Sequence, residues 1–386
     1  MEKQATPSNK YASDLCICKN CINDSKLELY FDRSKTHNEE CSFCLATSKC
    51  LNIIDNDEFY SLLTALFRYH YAEHDYNTHW GGERIEFRLL NDELILNNSN
   101  MHPNDALEYA IEALCCNLED YYTKIYGSDV THLYAGHNDS IRECYFEALK
   151  DSRDKYLSSI ESKILKENYF TFEEEVQSKI RKKIKYLSDT IEVNSIFYRA
   201  RIGYEKTSSS QDFMDNKICY QAYKFDKISA PPTKLANAGR LNREGVSFLY
   251  LATDIDTAIS EVRPDPGHKV SIGKFKATKK IKIANFDKAF LDAYLIENTF
   301  ESLSFLNHID QLFSHPITKD ERHQYMITQF FADIFRKIGF DGIMFSSSIS
   351  HGRNLLIFDP KNFAFVDSDE SIVYYVTRLN YSYHQA

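Results

Sequence analysis

GRLNREGVSFLYLATDIDTAISEV, residues 239–262, holds a turn, a strand and a helix in immediate succession. Gly239, Asn242 and Gly245 mark the turn, and glycine there lets the backbone approach a ligand closely. VSFLYLAT, residues 246–253, is a mostly apolar run of strand length, and Asp254 or Asp256 is a good N-cap for a helix running to Glu261. Thr257 and Glu261 then share one face of that helix. Upstream, IFYRARI, residues 196–202, also reads as a strand, whose period of two places Arg199 and Arg201 on the same face. Cations from a strand and a turn, Arg199 and Arg240, thus precede Tyr250 and Glu261. Guanidinium groups bind phosphate oxygens bidentately, so the stretch suits a phosphorylated ligand with a carboxylate beside it.

The chain has 386 residues, room for two or three domains, and its 43% hydrophobic content supports true cores. No run approaches the roughly 18 apolar residues of a membrane helix, and the polar start MEKQATPSNK lacks the layout of a signal peptide. The expectation is a cytoplasmic protein with no membrane partner. A net charge of -10 provides no general positive field, so a nucleic-acid partner is not expected. The basic run KIRKKIK, residues 179–185, reads as a solvated helix face.

Six of the ten cysteines, Cys16, Cys18, Cys21, Cys41, Cys44 and Cys50, crowd the first fifty residues. Cys18 with Cys21 and Cys41 with Cys44 form two CxxC pairs, the spacing of two knuckles that share one tetrahedral Zn²⁺. Four protein ligands leave no open position, so the zinc is expected to be structural, with Cys16 and Cys50 as spare or alternative ligands. Cys115, Cys116, Cys144 and Cys219 read as small apolar residues.

From Asp57 to Asp189 the pattern is mainly helical, with an ambiguous stretch at residues 81–90. Residues 102–118 place Ala106, Tyr109, Ala110, Ala113 and Leu114 on one stripe. Thr171 with Glu174 reads as a capping box. Arg68 and His74 have the spacing of a HEPN-type ribonuclease motif, although the histidines His70, His74 and His79 sit among tyrosines that suggest a packed helix. After Ser195 short strands take over, interrupted by helices near residues 297–313 and 321–338, the second closed by Gly339. The Ser-rich KTSSSQD, residues 206–212, is a candidate mobile loop. The organisation expected is a zinc-binding segment at 1–55, a mainly helical domain at 56–190 and an α+β domain at 195–386. No GxxxxGK[ST] or GxSxG motif supports a kinase, NTPase or serine hydrolase.

The order YRAR (198–201), APP (230–232), GRLNREG, FLYLAT, TAISEV, DGIMFSSS (341–348) and NLLIF (354–358) resembles the RES domain family over residues 195–367. The region before it is similar to the extension of a HEPN/RES-type subgroup. The resemblance implies a zinc ribbon-like segment and helical domain followed by a small mixed sheet flanked by helices, similar to ADP-ribosyltransferase toxins. It implies an NAD⁺ phosphorylase or glycohydrolase, with NAD⁺ as substrate and inorganic phosphate as a co-substrate of the first reaction. Such an enzyme would act as a toxin or defence effector, with an antitoxin or activating protein as partner and homo-oligomerisation left open. ADP-ribosyl transfer to a macromolecule is the alternative enzyme, and a non-catalytic NAD⁺ or ADP-ribose sensor the alternative outside catalysis. Position by position the resemblance assigns Arg199, Glu261 and Ser347 as the named triad, with Tyr250 and Arg240 in the YLA and GRxN segments. Arg199 and Arg240 would hold pyrophosphate or phosphate, Glu261 would stabilise an oxocarbenium-like ribose, Ser347 would orient the nicotinamide-ribose end, and Tyr250 would stack or hydrogen-bond. Arg201 competes with Arg199, and Ser346 and Ser348 with Ser347. Arg243 and Ser346 stand where the subgroup commonly has proline.

Overall fold

The computed structural model describes residues 15–73, 88–89, 91–101, 110–111, 113–114, 134–135, 153–212, 215–286, 300–315, 324–367 and 372–379. His74, His79, Ala106, Tyr109, Cys115, Cys116, Cys144, most of residues 81–90 and the side chain of Arg68 lie outside them. The chain divides into two compact units, residues 1–152 with 291–304, and residues 153–290 with 305–386. Residues 153–190, which the sequence groups with the helical middle part, therefore pack with the C-terminal sheet. Among the described residues no helix is long and apolar enough to cross a membrane.

In the first unit β1 (Cys16–Cys18), β2 (His37–Glu40) and β3 (Thr47–Asn52) form an antiparallel sheet in the order β1-β3-β2. Helix α1 (Ser25–Arg33) starts at Asp24, whose carboxylate accepts from the amides of Lys26 and Leu27. Helix α2 (Asp57–His70) starts at Asn56, which accepts from the Phe59 amide. Each cap satisfies donors that a helix N-terminus otherwise leaves open. Phe31, Phe43, Leu51, Ile53, Phe59 and Leu63 are buried in this unit. The two-residue strands β4 (Ala72–Glu73) and β5 (Tyr134–Ala135) pair with each other.

The second unit begins with α3 (Lys155–Ile164) and α4 (Glu173–Lys183). The expected capping box does not form at α4. Asn168 caps the short turn before the helix, the Thr171 hydroxyl donates to the Asn168 carbonyl, and the helix starts at Phe172 without a side-chain cap. Its acidic first turn and basic last turn still complement the helix dipole.

The strands that follow are β6 (Ser188–Ile191), β7 (Ile196–Ile202), β8 (Lys206–Asp212), β9 (Asp215–Gln221), β10 (Leu249–Ala252), β11 (Lys269–Ala277), β12 (Ile281–Asn285), β13 (Gly342–Ser346), β14 (Arg353–Ile357), β15 (Phe363–Phe365) and β16 (Val373–Tyr375). Nine of them make one sheet, ordered β15-β11-β7-β10-β14-β13-β12-β6 with β16 also on β11. The sheet is mixed, since β12 and β13 run parallel while its other pairs are antiparallel. It is larger than the small sheet expected, because β6 adds an edge from a stretch read as helical and β15 and β16 share the far side of β11. The expected loop at 206–212 is instead β8, paired with β9 along its whole length. Seven polar residues carry no strand pattern, and the hairpin partner supplies their order.

Among the described residues three further helices serve this sheet: α5 (Ile255–Glu261), α6 (Phe300–Ser314) and α7 (Tyr325–Ile338). Helix α7 buries Ile327, Phe330, Phe331, Ile334 and Phe335, and it stops at Gly339, whose φ of 106° is a left-handed cap that side chains rarely adopt. The Phe335 ring lies 5.6 Å from that of Phe286, 6.2 Å from Phe313 and 6.0 Å from Phe340, so it joins α7 to α6 and to both ends of the β12–β13 pair.

Phe335→Ala is expected to destabilise the second unit by about 3–5 kcal/mol, whereas Met326→Ala, at an exposed position of the same helix, should change stability by less than about 0.5 kcal/mol. Urea unfolding of both variants, followed by circular dichroism, checks the contrast.

Candidate functional site

The GRxN turn is built around one buried side chain. Asn242 Nδ2 donates to the carbonyls of Asn237, Arg243 and Val246 at 2.9, 3.1 and 3.0 Å. Its Oδ1 accepts from the Tyr250 hydroxyl at 2.8 Å, and that hydroxyl accepts from the Leu241 amide at 3.2 Å. Gly239 must be glycine for space, since a Cβ there would stand 2.4 Å from Asn242 Oδ1. Gln329 on α7 donates to the carbonyls of Gly239 and Asn242 at 2.8 and 2.9 Å. Arg243, at the proline position, pairs with Asp333 and lies over the Tyr169 ring. The turn is thus fixed to β10 by Tyr250 and to α7 by Gln329 and Arg243.

Arg240 leaves this turn with its Nη1 on the carbonyls of Phe313 and Ser314, at 2.7 and 3.3 Å. These are C-terminal carbonyls of α6, where the helix dipole favours a cation. Burial lowers the pKa of Arg240, and the nearby Glu261 charge works against that fall. Arg199 on β7 donates to the Tyr250 carbonyl at 2.9 Å. Burial pushes it down to about 10, with Tyr250 opposing and Arg201 adding to the fall. Among the described residues neither arginine has a carboxylate within ion-pairing distance. Burial also pushes the Tyr250 phenol up.

Helix α5 supplies the acid. Asp254 is the N-cap and accepts from the Thr257 amide at 2.7 Å and the Thr257 hydroxyl at 2.9 Å. Asp254 is the cap of the two aspartates weighed from sequence. One turn on, Glu261 Oε1 accepts from Ser347 Oγ at 2.8 Å and from Asn354 Nδ2 at 2.6 Å.

These groups converge. A cavity of about 440 Å³ is lined by Arg199, Arg240, Tyr250 and Glu261 together with Tyr198, Arg263, Tyr325 and Asn354, within the usual size of a small-molecule site. Arg201 is not in its lining; the guanidinium lies over the Tyr223 ring and donates to the Lys227 carbonyl. Of the three serines weighed, Ser347 is the one bonded to Glu261. Sequence reasoning missed Asn354, Tyr325 and Arg263. Asn354 opens the NLLIF strand, and its alignment with Glu261 depends on strand register. A second cavity, of about 650 Å³, lies against α3, α6 and α7 and holds none of the motif residues.

In the first unit Cys18, Cys21, Cys41 and Cys44 place their sulfur atoms within 4.8 Å of one another. The measured separations of 3.6 Å (Cys18–Cys21), 3.5 Å (Cys18–Cys44) and 3.8 Å (Cys21–Cys41) match the roughly 3.8 Å edge of a tetrahedron with 2.3 Å metal–sulfur bonds. The Cys18 amide donates to Cys41 Sγ at 3.3 Å. The hydrogen bond from Cys21 holds the Cys41 thiol low, and the same contact pushes Cys21 up. The set can therefore hold one metal ion. Cys16 and Cys50 stand outside it, with Cys16 donating to Glu39 Oε2 at 3.1 Å and Cys50 to the Glu39 carbonyl at 3.5 Å.

The family model described as RES domain matches residues 218–377, and this segment of the chain is a RES domain. The match contains Arg240, Tyr250, Glu261, Ser347 and Asn354, and begins after Arg199. A chain in the crystal structure of the M. tuberculosis MbcT-MbcA toxin-antitoxin complex is similar at 10% identity, with 51% of this chain and 92% of that chain covered and a TM-score of 0.26. No curated protein matches the chain.

Metal analysis of the purified protein should give about one divalent ion per chain. The double substitution Cys41→Ser, Cys44→Ser should lose it and lower the melting temperature, while Cys16→Ser should keep it; the opposite pattern would move the site.

Proposed function

We propose that the chain is an NAD⁺-consuming enzyme that cuts the bond between nicotinamide and ribose, passing ADP-ribose to phosphate or to water. The observation that carries this reading is Glu261, a carboxylate on the wall of a cavity whose other charged groups, Arg199, Arg240 and Arg263, are cations. The match of residues 218–377 to the RES domain family supports the same reading.

The geometry suits the charge changes of that reaction. The glycosidic electron pair leaves with nicotinamide, which departs neutral from a cationic ring and needs no strong acid. Positive charge then develops on the ribose, where a fixed carboxylate stabilises it without reorganisation. The oxygen of phosphate or water closes the new bond at the same carbon, and water gives up a proton as it does so. Among the described residues Arg199 and Arg240 are half-buried cations without carboxylate partners, a costly state that a bound pyrophosphate relieves. Arg240 is held at the end of α6 and Arg199 on β7, so the anion would be gripped from two elements. Tyr250 contributes through its ring, because both hydrogen-bonding directions of its hydroxyl are used within the turn.

A thiolate-only ligand set favours zinc over hard cations, so the metal of the first unit is read as structural Zn²⁺. The family resemblance further suggests a toxic activity restrained by a partner protein.

Glu261→Gln is expected to lower NAD⁺ turnover by about 10²- to 10³-fold while ADP-ribose still binds, measured by nicotinamide release with and without phosphate. A rate that persists in the variant rejects the reading, and the product formed in phosphate names the acceptor. Arg199→Met removes a half-buried cation whose described partner is a backbone carbonyl, so its unfolding midpoint should stay level or rise. Its ADP-ribose affinity should fall at least about tenfold; a lower midpoint with intact binding would make Arg199 structural.

A further inference from the structure

We propose that Asn354 is a positioning residue for Glu261: with Ser347 it holds carboxylate oxygen Oε1, so that Oε2 is the oxygen presented to the substrate. The proposal rests on the reading of Glu261 given above and assigns its two oxygens different tasks.

Both donors meet one atom. Asn354 Nδ2 is 2.6 Å and Ser347 Oγ 2.8 Å from Glu261 Oε1, while Oε2 takes no hydrogen bond from any described residue. A carboxylate only accepts, so the Asn354 amide must turn its NH₂ toward it. Two donors on one oxygen fix the rotation of the carboxylate about its last bond and leave the second oxygen for a ligand. The residue lines the cavity, as does Asn354.

The donors are held in different ways. Asn354 is 7% exposed and sits on β14 with a strand on each side, opposite Ala252 on β10 and Phe345 on β13. Its Cα cannot move without disturbing both ladders. Ser347 lies past the end of β13, and its oxygen also accepts from the Ile349 amide at 3.3 Å. Asn354 is therefore held between two strands, and Ser347 by its own amide, which donates to the Gly352 carbonyl at 3.2 Å. The Ser347 hydrogen is committed to Glu261, which moves this serine from the substrate contact expected of it to a supporting role.

The test uses the full chain and compares wild type with Asn354→Ala, Ser347→Ala and the double variant. Asn354→Ala should lower kcat by about ten- to a hundredfold with KM for NAD⁺ and ADP-ribose affinity nearly unchanged. The double variant should fall about as far as the worse single one, because both donors act through one oxygen. Asn354→Asp sets acceptor against acceptor and should recover activity only as pH falls and the pair shares a proton. Retained ADP-ribose binding shows that each variant is folded. An unchanged kcat in Asn354→Ala, or additive losses with a raised KM in Ser347→Ala, overturns the proposal. A wild type inactive on NAD⁺ rejects the proposed reaction instead. Crystal structures of wild type and Asn354→Ala then decide the positioning role, by whether the Glu261 carboxylate rotates when the amide is removed.

Discussion

The contact between α5 and the β13–β14 connection, centred on Glu261 Oε1, is the constraint on which the site depends. Helix α5 has seven residues, too few to be stable by its own hydrogen bonds. Its direction must come from outside, and the sheet supplies it. β10 leads into α5, and β14 lies beside β10 with Ala252 opposite Asn354. One register therefore sets the origin of the helix and the donor that receives its last residue. A slip of one residue along β14 would turn Asn354 to the other face and leave Glu261 without its shortest hydrogen bond.

The cations follow a different logic. Arg243 pairs with Asp333 and Arg201 stacks on Tyr223, so their charges are used within the fold. Among the described residues Arg199 and Arg240 meet only backbone carbonyls, at 2.9 Å and 2.7 Å. A carbonyl partly solvates a guanidinium but cannot neutralise it, which is why burial lowers both groups. Unneutralised cations beside a carboxylate that is not in salt-bridge contact with either weaken the fold locally. Such an arrangement has a physical purpose when an anion is to arrive.

Much of this was legible in the chain. The strands β7 and β10 are visible as apolar runs, and Gly339 marks the end of α7. The four cysteines of the cluster were readable because ligand spacing is local in sequence. What could not be read depends on partners distant in the chain. Asn354 stands 93 residues from Glu261 and looks from sequence like an ordinary strand residue. Tyr250 was placed in the site, yet the use of its hydroxyl by Leu241 and Asn242 is visible only once the turn is folded. The strand β8 carries a loop composition and is ordered by β9, and the capping box at Thr171 fails because the helix takes Phe172, one residue later, as its N-cap, which puts Thr171 and Glu174 out of register.

The connection between β13 and β14 has a second tie that explains its unusual run of small residues. The Thr257 hydroxyl lies 2.9 Å from Ser350 Oγ, one helical turn before the Glu261–Ser347 bond, so the loop grips α5 at two points on one face. A Cβ on Gly352 would stand 1.9 Å from Asp254 Oδ2 and 2.2 Å from Thr257 Oγ1, which leaves glycine alone able to pass the helix cap. Small hydroxyl residues at 346–348 and 350 and a glycine at 352 are thus what close approach of a loop to a helix N-terminus requires. Two ties one turn apart resist both translation and rotation of α5, whereas a single tie would leave the helix free to roll about Glu261. The carboxylate is held in place by the loop that passes it, and its chemistry depends on that loop as much as on the acid itself.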